Sequence, residues 1–356
     1  MRLQNLKNKK PHTSFIDLIS RENAHYMFNL SILYEVSKSS LKVDTNFYSI
    51  NSNLDIFTDV KKLNIKGVKI KERYNYLITT IFAFYQSIIF NKSKKYILLA
   101  FDNSLISLLF LVNYFILFFQ KKEFTIILHN NLSAFKNENW KKNLFSFFLK
   151  HYNPKIIVLS PFMLKEFNLI FNYSNVNYCF HQNYKELVHC DFVKLRLKKM
   201  KKKRTVVSIS NSHSKIFRRD NIFKYLNELE DKNVVINYIG EFNDVNSQNF
   251  NNKKRPGSII DYYNYIHNSE YMFFPKDEES NLRASGVLID ALSLGVNFIA
   301  PNVGHFKDVN ETFGIGILYD NYEELIKIFS TLYKVEVLDS DFFMKNTLVS
   351  NLIKEF

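Results

Sequence analysis

The sequence predicts an α/β protein of two doubly wound, Rossmann-like domains, and three observations carry that prediction. A chain of 356 residues is long enough for two separate cores at roughly 100–200 residues per domain. Glycine and proline are scarce, 8 and 6 residues, which excludes collagen-like, linker-rich and turn-dense all-β folds and favours long helices and strands. Short apolar runs alternate with helical periods along the whole chain, the pattern of parallel sheets crossed by helices. Hydrophobic residues at 46% and aromatics at 16% exclude a disordered chain.

In chain order, strands are expected at 15–19, 46–50, 96–101, 125–128 and 155–159, with helices between them. The stretch 103–119 (NSLISLLFLVNYFILFF) has 17 uncharged residues, close to the ~20 that span a bilayer. It contains Asn103 and Asn113 and follows a strand, so it reads as the buried helix of a βα unit. Ser160 and Pro161 supply an N-cap and a first-turn proline for a helix at 163–171, followed by an extended run at 177–180. Residues 196–204 (RLKKMKKKR) hold seven basic side chains in nine positions without an apolar period. They mark a basic linker between a domain at 1–195 and a second at 205–356, whose last helix is able to pack back on the first. In the second domain strands are expected at 205–209, 234–239, 271–274 and 297–300, and helices at 222–229, 261–268, 286–294 and 322–333.

The balance of 48 Lys+Arg against 34 Asp+Glu, +14 overall, biases the chain toward polyanions or anionic membrane surfaces. The abundance of Lys, Asn, Ile and Phe is also what an AT-rich genome produces. The basic residues are not interleaved with aromatics as in RNA-binding motifs, which argues against nucleic acid as a partner. The 196–204 run with Lys7, Lys9, Lys10, Lys92, Lys94 and Lys95 suits anionic lipid headgroups, at about 1 kcal/mol per residue near the surface. A solvated linker explains the same run equally well. Two cysteines, Cys179 and Cys190, have neither zinc-site nor redox spacing, and no apolar signal-peptide core follows the basic start. A cytoplasmic chain, peripheral on the inner face of the plasma membrane, is therefore expected. GxxxxGK[ST], GxGxxG, HExxH and GxSxG are all absent. Asp339-Ser340-Asp341 spells Asp-x-Asp, but in a polar stretch far from any central strand.

The most informative passage is 271–304, YMFFPKDEESNLRASGVLIDALSLGVNFIAPNVG. It encodes a buried strand stopping at Pro275, an acidic loop, a Ser285-Gly286 step opening a helix, Gly295 beyond its end, another strand and a turn. In open parallel sheets ligands bind at the carboxyl ends of strands, and helix N-termini offer unpaired N–H groups to phosphate. Gly286 would let a phosphate approach the backbone. Asp290, one turn further on, suits a carboxylate accepting from a ribose diol. As purely structural residues, Ser285 would cap the helix and Asp290 would sit on its solvated face.

This passage resembles the nucleotide-sugar signature of GT-B glycosyltransferases of the "glycosyl transferases group 1" type, most closely over 271–319. Asp290 stands where that family has its second acidic residue, as glutamate; the first acidic position falls on Leu282, and Glu278 or Glu279 substitutes only if the loop is shifted. The resemblance further implies a basic loop after the first strand of the second domain, where SNSHSKIFRRDN offers Lys215, Arg218 and Arg219 to the diphosphate. Arg283 would reach the same phosphates. His129, after the strand at 125–128, matches a histidine that in the family often contacts the donor sugar or the reaction centre, and His181 is the next candidate.

On these grounds the expected activity is transfer of a sugar from a nucleotide-diphosphate donor to a hydroxyl of a glycan or lipid-linked acceptor in surface polysaccharide biosynthesis. Catalytic roles fall to His129 and Arg219, and donor binding to Lys215, Arg218, Arg219, Glu279, Arg283, Ser285, Gly286 and Asp290. The resemblance implies a GT-B arrangement, usually retention at the anomeric carbon, no metal, and no cofactor apart from the donor. The alternatives are a catalytically silent GT-B-like protein that binds a glycan or partner at a membrane, favoured by Leu282, and a 2-epimerase on the same fold.

Overall fold

A computed structural model describes residues 13–20, 25–39, 45–50, 54–73, 75–101, 104–129, 132–137, 139–180, 205–210, 234–239, 250–253, 259–275 and 284–332. The chain divides into two compact units, Met1–Tyr184 with Leu348–Phe356 and Lys185–Thr347. Each is built on one parallel sheet.

The first unit runs β1 (Thr13–Asp17), α1 (Tyr26–Lys38), β2 (Thr45–Ile50), α2 (Leu54–Lys62), β3 (Lys66–Ile70) and α3 (Tyr76–Phe84), which continues into a π-helical turn at Tyr85–Ile89. Then come β4 (Lys95–Leu98), α4 (Leu105–Val112), α5 (Tyr114–Gln120), β5 (Glu123–Leu128), a 3-10 turn (Leu132–Phe135), α6 (Trp140–Tyr152), β6 (Lys155–Val158), α7 (Pro161–Phe171) and β7 (Val176–Tyr178). The sheet order is β3-β2-β1-β4-β5-β6-β7. The central strand β1 is wholly buried and lies between β2 and β4, with Phe15 beside Phe47 and Ile97. From β1 the chain winds outward to β3, then returns to β4 and winds the other way. Right-handed crossovers in opposite directions place helices on opposite faces, so α1 and α2 pack together on one face while α4 packs against α3, α5 and α6 on the other.

Phe110 of α4 centres the second layer. Its ring lies 5.2 Å from Phe84, 4.9 Å from Phe124, 4.6 Å from Phe148 and 5.2 Å from Tyr152, so it joins α3, β5 and α6 through the edge-on geometry aromatic rings favour.

The stretch 103–119 is not one buried helix. It breaks at Asn113, whose side-chain amide donates to the Leu109 carbonyl at 2.8 Å. Ile106, Phe110 and Leu117 pack inward, while Val112, Phe115 and Phe119 are 68%, 72% and 78% exposed. No helix among the described residues is long and apolar enough to cross a membrane.

The second unit contributes β8 (Thr205–Ser210), β9 (Val234–Ile239), β10 (Phe250–Lys253), α8 (Ile259–His267), β11 (Tyr271–Phe273), α9 (Gly286–Ser293), β12 (Asn297–Pro301), α10 (Gly304–Phe313), β13 (Ile317–Tyr319) and α11 (Tyr322–Thr331). Its sheet order, β10-β9-β8-β11-β12-β13, reverses between β8 and β11 as the first sheet reverses between β1 and β4. Both sheets are therefore doubly wound. Val207, Ile236, Phe273, Ile299, Tyr319 and Phe329 form the core, and the buried Tyr319 hydroxyl donates to the Phe274 carbonyl at 2.9 Å. The strands β3, β10 and β13 and the helix α10 were not anticipated from the pattern. The linker at 196–204 and the helix expected at 222–229 lie outside the described residues.

Two glycines close α10 and lead into β13, and they separate backbone strain from crowding. Gly314 (φ 66°) has open space where a Cβ would stand, whereas at Gly316 (φ 89°) a Cβ would fall 2.1 Å from the Phe298 ring. Gly314→Ala is expected to cost roughly 1–2 kcal/mol, and Gly316→Ala a further 1–3 kcal/mol or so of overpacking. Denaturant unfolding of the two variants checks the order.

Candidate functional site

In both units the described candidates His129, Ser285 and Gly286 sit at the carboxyl edge of the sheet, near the point where strand order reverses. This is where doubly wound folds bind ligands.

In the first unit β1 ends on Asp17, a fully buried carboxylate. Its Oδ1 accepts from the backbone N–H groups of Ile19 (3.2 Å) and Ser20 (2.9 Å), which turns the chain, and its Oδ2 accepts from the Asn29 side-chain amide on α1. Three donors offset much of the desolvation a buried carboxylate suffers. His25 is the residue before α1, in the left-handed region at φ 57°. There its Nδ1 lies 3.1 Å from the Ser20 hydroxyl.

His25 also stacks on His129, with ring centroids 4.5 Å apart and planes 17° from parallel, while Phe28 meets His129 edge-on at 4.4 Å. His129 follows β5 and is buried; its Nε2 lies 2.9 Å from the carbonyl oxygen of Leu99, just after β4. A carbonyl only accepts, so this bond places a proton on Nε2 and fixes the ring's orientation. Thus His129 does lie at the strand end where the sequence puts it. Asp17, Ser20, His25 and Asn29, which the sequence reading left unassigned, form its setting.

In the second unit β8 and β11 are paired neighbours, Val207 beside Tyr271 and Ile209 beside Phe273. The chain leaves both strands at the same edge. After β11, Ser285 caps α9, the structural role the sequence allowed it beside donor binding, its hydroxyl accepting from the Leu288 N–H at 3.2 Å. Gly286, the first helical residue, is exposed, and a Cβ there would meet nothing within 4 Å. The helix start is open, and its unpaired N–H groups and dipole suit an anion.

Asp290 is half-buried, not a solvated face residue. One carboxylate oxygen accepts from the Tyr262 hydroxyl at 3.1 Å and the other from Tyr263 at 2.9 Å, which ties α9 to α8. Burial, followed by the charge of Asp290, holds the Tyr262 hydroxyl well above its ordinary pKa, so it stays a donor.

Lys215, Arg218, Arg219, Glu279, Arg283, Leu282, His181 and the Asp339-Ser340-Asp341 run lie outside the described residues. Among the described residues no group of three or more His, Cys, Asp or Glu side chains is placed to hold a metal.

No family model matches the chain, and comparison with curated proteins finds no match. Solved structures do match over nearly the whole chain. HepE of Anabaena, in complex with UDP and glucose, has a TM-score of 0.66 at 10% identity, covering 97% of this chain and 98% of its own. The lipopolysaccharide outer core galactosyltransferase WaaB, in its apo form, has 0.62 at 12% identity over 97% of each chain. A glycosyltransferase from Rickettsia africae has 0.61 at 12% identity over 98% of each. At these identities the likeness is one of fold, and the fold is that of GT-B glycosyltransferases.

Ser285→Ala removes the cap and is expected to lower stability by about 1 kcal/mol. Gly286→Ala, with room for its methyl group, should leave stability unchanged or raise it by up to about 1 kcal/mol. Thermal denaturation of both variants tests whether the glycine is there for the fold.

Proposed function

We propose that this chain is a glycosyltransferase that moves a sugar from a nucleoside-diphosphate sugar to a hydroxyl of a glycan or lipid-linked acceptor in surface polysaccharide assembly. The observation that carries this reading is the pairing of β8 with β11 at the strand-order reversal, with the capped, open start of α9 on the same edge. A glycine without a steric need in the fold, at a helix N-terminus beside a switch point, fits close approach by a diphosphate.

In this reading Lys215, Arg218 and Arg219, which follow β8 in sequence, and Glu279 and Arg283, which precede α9 in sequence, bind the donor, and Asp290 orients the ribose from a carboxylate already aligned by two tyrosines. The bond from the anomeric carbon to the diphosphate oxygen breaks. The acceptor oxygen forms the new bond, and its proton passes to the departing phosphate. The cations and the helix start stabilise the charge that develops on the leaving group, so no metal is required. His129, bonded to Leu99 and stacked on His25, is the residue of the first unit to which this reading gives a catalytic role. Retention at the anomeric carbon and a cytoplasmic site of action, peripheral on the inner membrane face through the basic run at 196–204, complete the proposal.

A thermal-shift screen against UDP, GDP, ADP, CMP and their sugars tests it, since a ligand at 100 times its Kd stabilises by about 2.7 kcal/mol. The expected result is a selective shift by one nucleotide that disappears in Arg219→Ala. Arg219→Ala and Asp290→Ala should each lower transfer at least tenfold, about 1.4 kcal/mol of transition-state binding. Flat curves for every nucleotide, or wild-type rates in both variants, reject the assignment. Donor binding without transfer would point to the silent protein that Leu282 favours, and product from donor alone to a 2-epimerase.

A further inference from the structure

The helices that follow β3 and β4 leave a broad apolar surface uncovered. Leu77, Ile78 and Phe82 on α3, Phe90 after the π-helical turn, Leu108 and Val112 on α4, and Phe115, Ile116, Phe118 and Phe119 on α5 are between 44% and 78% exposed. Taking about 200 Å² for a large apolar side chain, they present on the order of 1,000 Å², above the roughly 300–600 Å² of the largest patch on a typical monomer.

The elements form one surface. α4 packs on both α3 and α5. At the far end the Gln120 amide donates to the Ile89 carbonyl at 3.5 Å, and the Lys122 ammonium donates to the carbonyls of Ile88, Ile89 and Asn91. These bonds hold the end of α5 against the end of the π-helical turn, so Phe119 and Phe90 lie at one end of the patch.

Charge names the occupant. From Lys71 to Glu123 the sequence has seven basic residues against three acidic ones, Glu72, Asp102 and Glu123. Lys122 is occupied by its three carbonyls, but Arg73, Lys92, Lys94 and Lys121 are exposed, and the Arg73 guanidinium lies 4.3 Å over the Phe82 ring. An apolar face edged by lysine and arginine matches the boundary between acyl chains and anionic headgroups. α4 and α5, of 8 and 7 residues, are too short to span a bilayer that takes about 20, which leaves shallow insertion. A second copy of the chain would set the same cations against one another.

We propose that the outer face of α3, α4 and α5 is the surface by which the chain enters an anionic lipid bilayer. It deepens the peripheral association proposed above by assigning it to an apolar face, and it does not depend on donor chemistry.

The test is co-sedimentation of the full chain, without nucleotide, with phosphatidylcholine vesicles that contain or lack phosphatidylglycerol. Binding is expected on the phosphatidylglycerol vesicles and should fall at least tenfold in the double variant Phe115→Ser, Phe119→Ser. It should lose its preference for anionic lipid in Lys94→Glu, Lys121→Glu and stay unchanged in the control Leu169→Ser, exposed on α7. Circular dichroism confirms that each variant folds. No binding of the wild-type chain to anionic vesicles, or undiminished binding of the Phe115→Ser, Phe119→Ser variant, overturns the proposal. So does a lipid-indifferent dimer that this variant dissociates. None of these outcomes bears on sugar transfer, which is measured separately.

Discussion

Parallel pairing throughout both sheets is the constraint on which the rest of this structure depends. Parallel strands cannot be joined by a tight hairpin, so each connection must cross the sheet, usually as a helix. The helices cover both faces, and the central strands must then be apolar on both, as the wholly buried β1 is. The same directionality gathers every strand's carboxyl end, and the start of every following helix, at one edge. Asp17, His25 and His129 stand at that edge of one sheet for that reason, as Ser285 and Gly286 do at that edge of the other.

At this edge each unit solves a different polar problem. The first buries a carboxylate and an imidazole and satisfies them internally: Asp17 with two backbone N–H groups and an asparagine, His129 with a carbonyl and two ring contacts, one of them from the half-buried His25. The result is a rigid histidine on a prepared support. The second leaves its helix start open at Gly286 while fixing the carboxylate one turn later with two tyrosine hydroxyls.

What the sequence made legible follows from burial. β4, β5, β6, β11 and β12 are covered on both faces and show as continuous apolar runs. β3 (KGVKI) and β10 (FNNK) are edge strands whose lysines and asparagines hide them, and α10 (GHFKDVNETF) buries a stripe of only three large apolar side chains, Phe306, Val309 and Phe313, in an otherwise polar run. The run at 103–119 misleads in the opposite sense. A helix apolar on all sides reads as buried, and only its packing against α3 and α6 shows which side is not. Among site residues, His129 and Ser285 were visible because each stands at the junction of two recognisable elements. His25 was not, since its role comes from a left-handed backbone that swings its ring over a strand end distant in sequence. The tyrosines on Asp290 were hidden likewise, because they come from another helix.

The proposed donor site predicts that the open start of α9, beside the β8/β11 pair, receives a diphosphate. Hydrogen exchange with and without saturating nucleoside diphosphate addresses it most directly, because that helix start offers N–H groups with no partner within the helix. Slowed exchange in peptides that contain Gly286, Val287 and Leu288 is the expected result. Unchanged exchange there, with nucleotide bound and protection falling elsewhere, would contradict it.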